Sequence, residues 1–209
     1  MYLEKTPFGG LLLHTSHGNF AVNGGGSMED MEIRYRVHEQ PLRGLILTSE
    51  HIHRSRNAAA FANRFGIPVL VSSATCSVLG GHIGRPVLFS PPGTALFEGL
   101  SVEFHFLRSD SIDPVYLIVR DQEKTIGIVP DGKLTARTAE PLRHCAELCL
   151  DNRPVLLPGI PPALKRHLLS VSNTAEEIGR LFPGIVPVLL RGGYENHDYR
   201  QNRRYYRTE

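Results

Sequence analysis

The sequence predicts a single α/β domain in which antiparallel hairpins alternate with helices. The chain has 209 residues and is 41% hydrophobic, a composition that suits one domain with a sizeable core. Its 20 glycines and 15 prolines lie between short apolar runs, a pattern that favours many strands joined by turns. One stretch also shows the order strand, loop, helix, strand. We therefore expect one domain over 1–209, with a polar, basic tail over about 194–209.

The first predicted element is a β-hairpin near the start of the chain. Residues 11–14 and 20–22 are apolar apart from His14, and they flank residues 16–19, which include a Gly and an Asn that tolerate positive φ. After the hairpin the pattern is ambiguous. A Ser-x-x-Asp capping pattern predicts a helix over 28–37, whereas 33–37 alternates like a strand.

The next elements form a β-loop-α-β unit. Residues 45–48 are a short apolar run typical of a strand buried on both faces, and residues 49–56 form the loop at its carboxyl end. Residues 57–65 are rich in alanine and stop at Gly66, which predicts a helix with a glycine terminator, and 67–72 is the next strand. Loops in this position often carry function.

The second half of the chain continues the alternation of hairpins and helices. Apolar alternation and turn residues predict strands over 102–107, 115–120, 125–129, 147–151 and 186–190. Helical patterns cover 138–145, 162–169 and 174–182.

Composition excludes several classes of protein. The 23 basic and 21 acidic residues give a net charge of +2, far from the balance of a dedicated nucleic-acid coat. No apolar stretch approaches the length of a membrane span, and the first ten residues lack the pattern of a signal peptide, so we expect a cytoplasmic protein. The three cysteines, Cys76, Cys145 and Cys149, are an odd count that argues against a disulfide framework, and we expect Cys145 and Cys149 to be buried thiols.

Motifs at the predicted strand ends resemble those of the metallo-β-lactamase superfamily, and the resemblance covers nearly the whole chain. In that family the first strand pair ends in Asp-x-Gly, the next strand ends in T-H-x-H-x-D-H, and a later hairpin ends in a T-D-x-G-like turn. The match is closest to small bacterial hydrolases that also carry an H-D pair, a G-H-L-S-N segment and a terminal H-L-S turn. The corresponding residues here are Asn23-Gly24-Gly25, 48–54, Pro130-Asp131-Gly132, Ser109-Asp110, 169–173 and Arg191-Gly192-Gly193.

The resemblance implies a four-layer αββα sandwich of two mixed sheets with outer helices, and a site for two metal ions held by five histidines and two aspartates. Most of those ligands are replaced in this chain. Among the nine His and Asp positions of the motifs after the Asp-x-Gly turn, His51, Asp110 and Asp131 are kept, whereas the other six carry Ser49, His53, Arg54, Ser109, Ser170 and Arg191. A serine hydroxyl is a poor zinc ligand and a guanidinium has no lone pair to donate, so an ordinary dinuclear centre does not suit these residues.

The main hypothesis is therefore a protein that has lost its metal centre and works as a binding, structural or regulatory subunit without a cofactor. Arg54 and Arg191 would place two permanent cations near Asp131. They could form an internal ion-pair network with that carboxylate. They could instead bind an anionic group, such as a phosphate, through bidentate hydrogen bonds.

The alternative hypothesis is a metal-dependent hydrolase of phosphodiesters or other esters that uses one zinc, iron or manganese ion. Its catalytic candidates are His51, His53 and Asp131, with Asp110 as a further metal ligand, because three ligands and a water suffice for catalysis. Arg54 beside them would repel the cation. His51 and His53 could instead bond backbone carbonyls, since a lone His-x-His is a weak signal.

Partners are suggested mainly by the tail. Its arginines are interspersed with tyrosines, as at Arg203, Arg204, Tyr205 and Tyr206. Such a segment could contact nucleic-acid phosphates and stack on bases. The commoner role of such a tail is a solvated terminus or a contact with a protein partner or a second copy.

Overall fold

The computed structural model describes residues 1–5, 10–24, 28, 41–51, 55–79, 82–122, 124–130, 132–150, 159, 161–185 and 187–189. Its twelve strands form two six-stranded sheets, each of them mixed. The first sheet contains, in spatial order, β1 (Tyr2–Lys5), β2 (Leu11–Thr15), β3 (Gly18–Val22), β4 (Leu42–Ile46), β5 (Val69–Ser72) and β6 (Pro86–Phe89). The second contains β7 (Gly93–Phe97), β8 (Leu100–Phe106), β9 (Val115–Arg120), β10 (Thr125–Val129), β11 (Glu147–Leu150) and β12 (Val188–Leu189).

Both sheets change from antiparallel to parallel pairing. Strands β1, β2 and β3 are antiparallel neighbours, and β3 to β6 are parallel. In the second sheet β7 to β10 are antiparallel and β10 to β12 are parallel. Because parallel strands end at the same edge, the loops after β3, β4 and β5 meet at one end of the first sheet.

The two sheets pack face to face over a shared apolar core. Leu13 and Phe20 of the first sheet lie in the same cluster as Phe104 and Leu117 of the second sheet. Phe89 and Phe104 stack across the sheets, with ring centroids 3.6 Å apart. This cluster is the central layer of a sandwich, and its burial supplies the main stabilising term.

Helices cover the outer faces. Helices α1 (Ala58–Phe65) and α2 (Ser73–Val78) follow β4 and β5, and Phe61 of α1 packs on the outer face of the first sheet. On the second sheet, α3 (Ala136–Ala139) continues into a 3-10 helix (Glu140–His144), and α5 (Ala175–Leu181) packs beside it. Helix α4 (Pro162–Val171) has no buried residue. The architecture is the four-layer αββα sandwich that the resemblance implied.

Several predicted elements are confirmed. The first hairpin is β2 and β3, and the strands predicted over 115–120 and 125–129 have the observed bounds of β9 and β10. Helix α1 ends at Gly66 in the left-handed conformation, as the glycine terminator predicted.

Other predictions were wrong in their bounds or missed an element. The strand predicted over 45–48 is Leu42–Ile46, and the helix predicted over 138–145 starts earlier and becomes a 3-10 helix at Glu140, where Pro141 follows. Strands β1, β6 and β7 and helix α2 were not predicted. The element predicted over 28–37 and the tail over 194–209 lie outside the described residues, apart from Met28.

Cys149 is buried, and Cys76 and Cys145 are partly buried. Among the described helices, none is long and apolar enough to cross a membrane.

Strands β6 and β7 are the outermost described strands on one side of the sandwich. Both carry exposed apolar side chains: Leu88 of β6 is 56% exposed and Leu96 of β7 is 79% exposed. This edge of the sandwich therefore presents apolar side chains to solvent.

Candidate functional site

The corner after β3 sets the geometry of the loop that follows β4. Asn23 adopts a left-handed conformation (φ 58°), which asparagine tolerates better than most residues. Its buried side-chain oxygen accepts hydrogen bonds from the Thr48 backbone N–H (3.1 Å) and the Thr48 hydroxyl (3.0 Å). Its own N–H donates to the Ile46 carbonyl at 2.8 Å. One side chain therefore fixes where the chain leaves β4.

The same loop joins the two sheets at this end of the sandwich. The Thr48 carbonyl accepts a hydrogen bond of 3.5 Å from the N–H of Val115, the first residue of β9. The next residue, Ser49, is 3% exposed, and its hydroxyl has no hydrogen-bond partner in the described part of the chain. Ser49 stands where the resemblance implies a metal-binding histidine, so a neutral hydroxyl occupies that buried position.

Three side chains from different segments are in contact at the end of the sandwich. His51 Nε2 lies 3.4 Å from Asp110 Oδ1, and His167 Nε2 lies 3.3 Å from Asp110 Oδ2. His51 follows β4, Asp110 lies in the loop between β8 and β9, and His167 is on α4. We call these three residues the clasp. It ties together three segments that are far apart in the sequence.

Burial and the two histidines of the clasp shift the pKa of the Asp110 carboxyl in opposite directions. Burial raises the pKa of the Asp110 carboxyl, but the contact with His167, a backbone hydrogen bond, the His51 imidazole and the Ser109 hydroxyl lower it, and the net pKa lies below its ordinary value. Asp110 is 46% exposed, so water screens these interactions. The carboxylate is thus a charged acceptor shared by two imidazoles.

Glu50 holds the β8–β9 loop from the other side. Its carboxylate accepts a hydrogen bond from the Ser111 hydroxyl at 2.6 Å and from the Ile112 N–H at 3.0 Å. Burial raises the pKa of Glu50, whereas these bonds and the neighbouring His51 lower it, with a net lowering. Glu50 and the clasp together fix both sides of residues 109–112.

The segment after β10 is anchored to the α4–α5 junction. Asn173 is 1% exposed, and its side chain accepts from the Leu134 N–H (2.7 Å) and donates to the Leu134 carbonyl (3.0 Å). Lys133 donates to both Glu177 oxygens at 2.7 and 2.9 Å and to the Leu169 carbonyl at 3.2 Å. These contacts position α4, and with it His167.

The structure brings two of the predicted site residues together. His51 and Asp110 were candidate metal ligands and lie in contact with each other. The remaining candidates, His53, Arg54, Asp131 and Arg191, lie outside the described residues. The sequence analysis missed His167, which lies one helical turn before Ser170 on α4. The spacing of three residues was the available signal, because it puts both on one face of a helix.

The described residues do not fit the dinuclear metal centre that the resemblance implies. Three ligand positions carry the hydroxyls of Ser49, Ser109 and Ser170, which are poor ligands for zinc. Within the described ranges, no three His, Cys, Asp or Glu side chains form a group that could hold a metal ion. In the clasp the two imidazoles face different oxygens of one carboxylate.

Comparisons with known proteins identify the fold. No protein-family model matches the sequence, and no curated protein sequence matches it. The structure is similar to the metallo-β-lactamase fold protein YhfI from Bacillus subtilis, with a TM-score of 0.64 and 14% identity, covering 82% of this chain and 72% of that one. It is also similar to Igni18, a metallo hydrolase from Ignicoccus hospitalis, with a TM-score of 0.55 and 15% identity, covering 72% of this chain and 70% of that one.

A third similar structure is zinc-bound PqqB from Methylobacterium extorquens. Its TM-score is 0.55 at 10% identity, and the match covers 69% of this chain and 57% of PqqB, so this chain corresponds to little more than half of that protein. At such identities the likeness establishes the fold and leaves the activity open. The chain has the metallo-β-lactamase fold.

Proposed function

Given a metallo-β-lactamase fold whose described ligand positions carry serines, we propose that this protein is a non-catalytic binding, structural or regulatory subunit. In this proposal Arg54 and Arg191 hold an anionic group, such as a phosphate, at the position that metal ions occupy in the enzymes. Guanidinium groups suit this role because they bind phosphate oxygens in a bidentate manner and stay charged at every physiological pH.

The clasp is the observation that supports the proposal. His51 and Asp110 are the described ligand-type residues that the chain has kept, and they lie 3.4 Å apart, in contact with each other. His167 occupies the second oxygen of Asp110 at 3.3 Å. A separation of 3.4 Å also suits two ligands of one zinc ion, but within the described residues no three His, Cys, Asp or Glu side chains form a group that could hold a metal ion. The contact between them replaces, in part, the cross-link that a metal ion makes between the same loops.

The first experiment measures zinc, iron and manganese in protein purified without an affinity tag, together with its melting temperature before and after a chelator. We expect far less than one metal ion per chain and an unchanged melting temperature. A bound ion at about 100 times its Kd would add about 2.7 kcal/mol. For a chain of this size that corresponds to about 5–10 °C.

One metal ion per chain, with a loss of this size after chelation, would contradict the proposal. It would instead support a single-metal hydrolase built on His51, His53 and Asp131.

The anion-binding part is tested by titrating inorganic phosphate into the protein and following heat or amide chemical shifts. We expect the Arg54→Ala and Arg191→Ala variants to lose binding, while Arg137→Ala, an exposed arginine on α3, keeps it. Equal binding by all three variants would exclude the two arginines as the anion site.

A further inference from the structure

Three exposed apolar side chains border the clasp. Phe106 is 50% exposed, Ile112 is 59% exposed and Leu164 is 40% exposed. Large apolar side chains at this level of exposure are common when they are scattered singly, but a group of them around one site marks a binding surface. Their positions relative to the clasp therefore decide whether they form one binding surface.

Strand register, a hydrogen bond and helix spacing place all three near the clasp. Phe106 pairs in register with Val115, which donates to the Thr48 carbonyl three residues before His51. The Ile112 N–H donates to Glu50, the residue next to His51. On α4, Leu164 lies three residues before His167 and so shares its helix face.

Phe106 lies at the end of β8, on the side of the strand that faces the core. Along β8, Phe104 points into the core between the sheets and stacks on Phe89. Side chains two residues apart on a strand share a face, so Phe106 points to the same side as Phe104, at the end of the strand. Its ring is therefore half exposed at the end of β8 from which the loop with Asp110 starts.

An exposed cation lies close in the sequence to these apolar side chains. Arg108 is two residues from both Phe106 and Asp110, whereas Lys165 and Arg166, one and two residues after Leu164, lie on other faces of α4. The nearby carboxylates of Glu50 and Asp110 already accept hydrogen bonds or face imidazoles. Asp113 is the further acidic residue on this loop.

We propose that the ligand of this site is a phosphate ester with an aromatic or apolar organic group, which packs on Phe106, Ile112 and Leu164 while Arg108 attracts its phosphate. This inference rests on the proposed function, which places an anion at the same end of the sandwich. A free nucleoside phosphate and the phosphorylated end of a nucleic-acid strand both present this chemistry, and the experiment separates them.

The test compares the Kd of inorganic phosphate, adenosine, adenosine monophosphate and a short oligonucleotide with a terminal phosphate, measured by calorimetry on the full chain. Stacking of one base on an aromatic ring strengthens binding about tenfold or more. We therefore expect adenosine monophosphate to bind at least about tenfold tighter than inorganic phosphate.

The decisive variant is Phe106→Ala, and its matched control is Leu96→Ala, an exposed apolar residue on the outer face of β7. We expect Phe106→Ala to bind adenosine monophosphate no better than inorganic phosphate, and Leu96→Ala to behave like the native chain. Melting temperatures check that both variants are folded. A tighter Kd for the oligonucleotide than for the mononucleotide supports the proposal with a nucleic-acid end as its source.

Equal affinity of the native chain for inorganic phosphate and adenosine monophosphate would overturn the inference while leaving the anion-binding proposal intact. A preference that survives in Phe106→Ala would also overturn it. If neither compound bound, the inference and the anion-binding part of the proposed function would both fail.

Discussion

Replacing Asn23 with alanine removes the acceptor that fixes the loop after β4. The Thr48 N–H and hydroxyl both lose their partner in a place where Thr48 is 2% exposed. A buried donor without a partner costs about 1–3 kcal/mol, and the second bond adds about 1 kcal/mol. Alanine at φ 58° adds about 1 kcal/mol of backbone strain. The sum is a loss of about 4 kcal/mol in the free energy of unfolding.

That loss corresponds to a fall of about 8–16 °C in the melting temperature of a chain of this length. The measurement is thermal unfolding followed by circular dichroism, combined with urea unfolding. Glycine at the same position separates the two causes, because Asn23→Gly loses both hydrogen bonds without the strain. It should be about 1 kcal/mol more stable than Asn23→Ala. Losses below about 1 kcal/mol in both variants would refute the role of Asn23.

Three further outcomes are expected. Glu50 and Asp110 have pKa values lowered in the folded protein, so the stability they contribute is present above their unfolded-state pKa values and lost as the pH falls through the folded-state ones. The double variant Glu50→Gln, Asp110→Asn should therefore show a flatter stability curve between about pH 5 and pH 3 in urea titrations. Asn173→Ala removes the hydrogen-bond partner of both the N–H and the carbonyl of the buried Leu134. Urea unfolding should show a fall of about 2–5 kcal/mol in the free energy of unfolding. A change within error would mean that water replaces the amide. Burial raises the pKa of Cys145 to about 11, so a disulfide reagent at neutral pH should label it far more slowly in the folded chain than in urea, and equal rates would contradict its burial.

Local sequence patterns identified the elements that end in turn-forming or helix-terminating residues. Helix α1 lies between Asn57 and Gly66, both left-handed, and the glycine terminator was visible in the sequence. Helix α2 was missed because it has six residues, Ser, Ala, Thr, Cys, Ser and Val, most of which are weak helix formers. It exists because Ser72 caps its first turn and because the preceding strand delivers it onto the first sheet. Strand β6 was missed because Pro86 and exposed side chains give it no alternation.

The candidate site was predicted in part. His51 and Asp110 could be identified because they occupy family motif positions at strand ends. His167 could not be identified from its own surroundings, since its contact with Asp110 depends on where α4 docks. That docking follows from Lys133, Glu177 and Asn173, which are distant in sequence from the loops they hold together. Contacts of this kind arise from tertiary packing and leave no local pattern.

The outermost strand β6 has a consequence for how molecules of this protein meet each other. The carbonyl of Arg85, the residue before β6, accepts from the Val69 N–H of β5, and backbone groups of successive residues point to alternate sides of a strand. Pro86 and Leu88 therefore turn their backbone groups away from β5, and Pro86 has no N–H to donate. A strand from another molecule that pairs with this edge could accept a hydrogen bond from the Leu88 N–H but not from Pro86. Proline at this position thus acts as a gatekeeper that lets an apolar strand remain at the margin of a sheet without seeding aggregation.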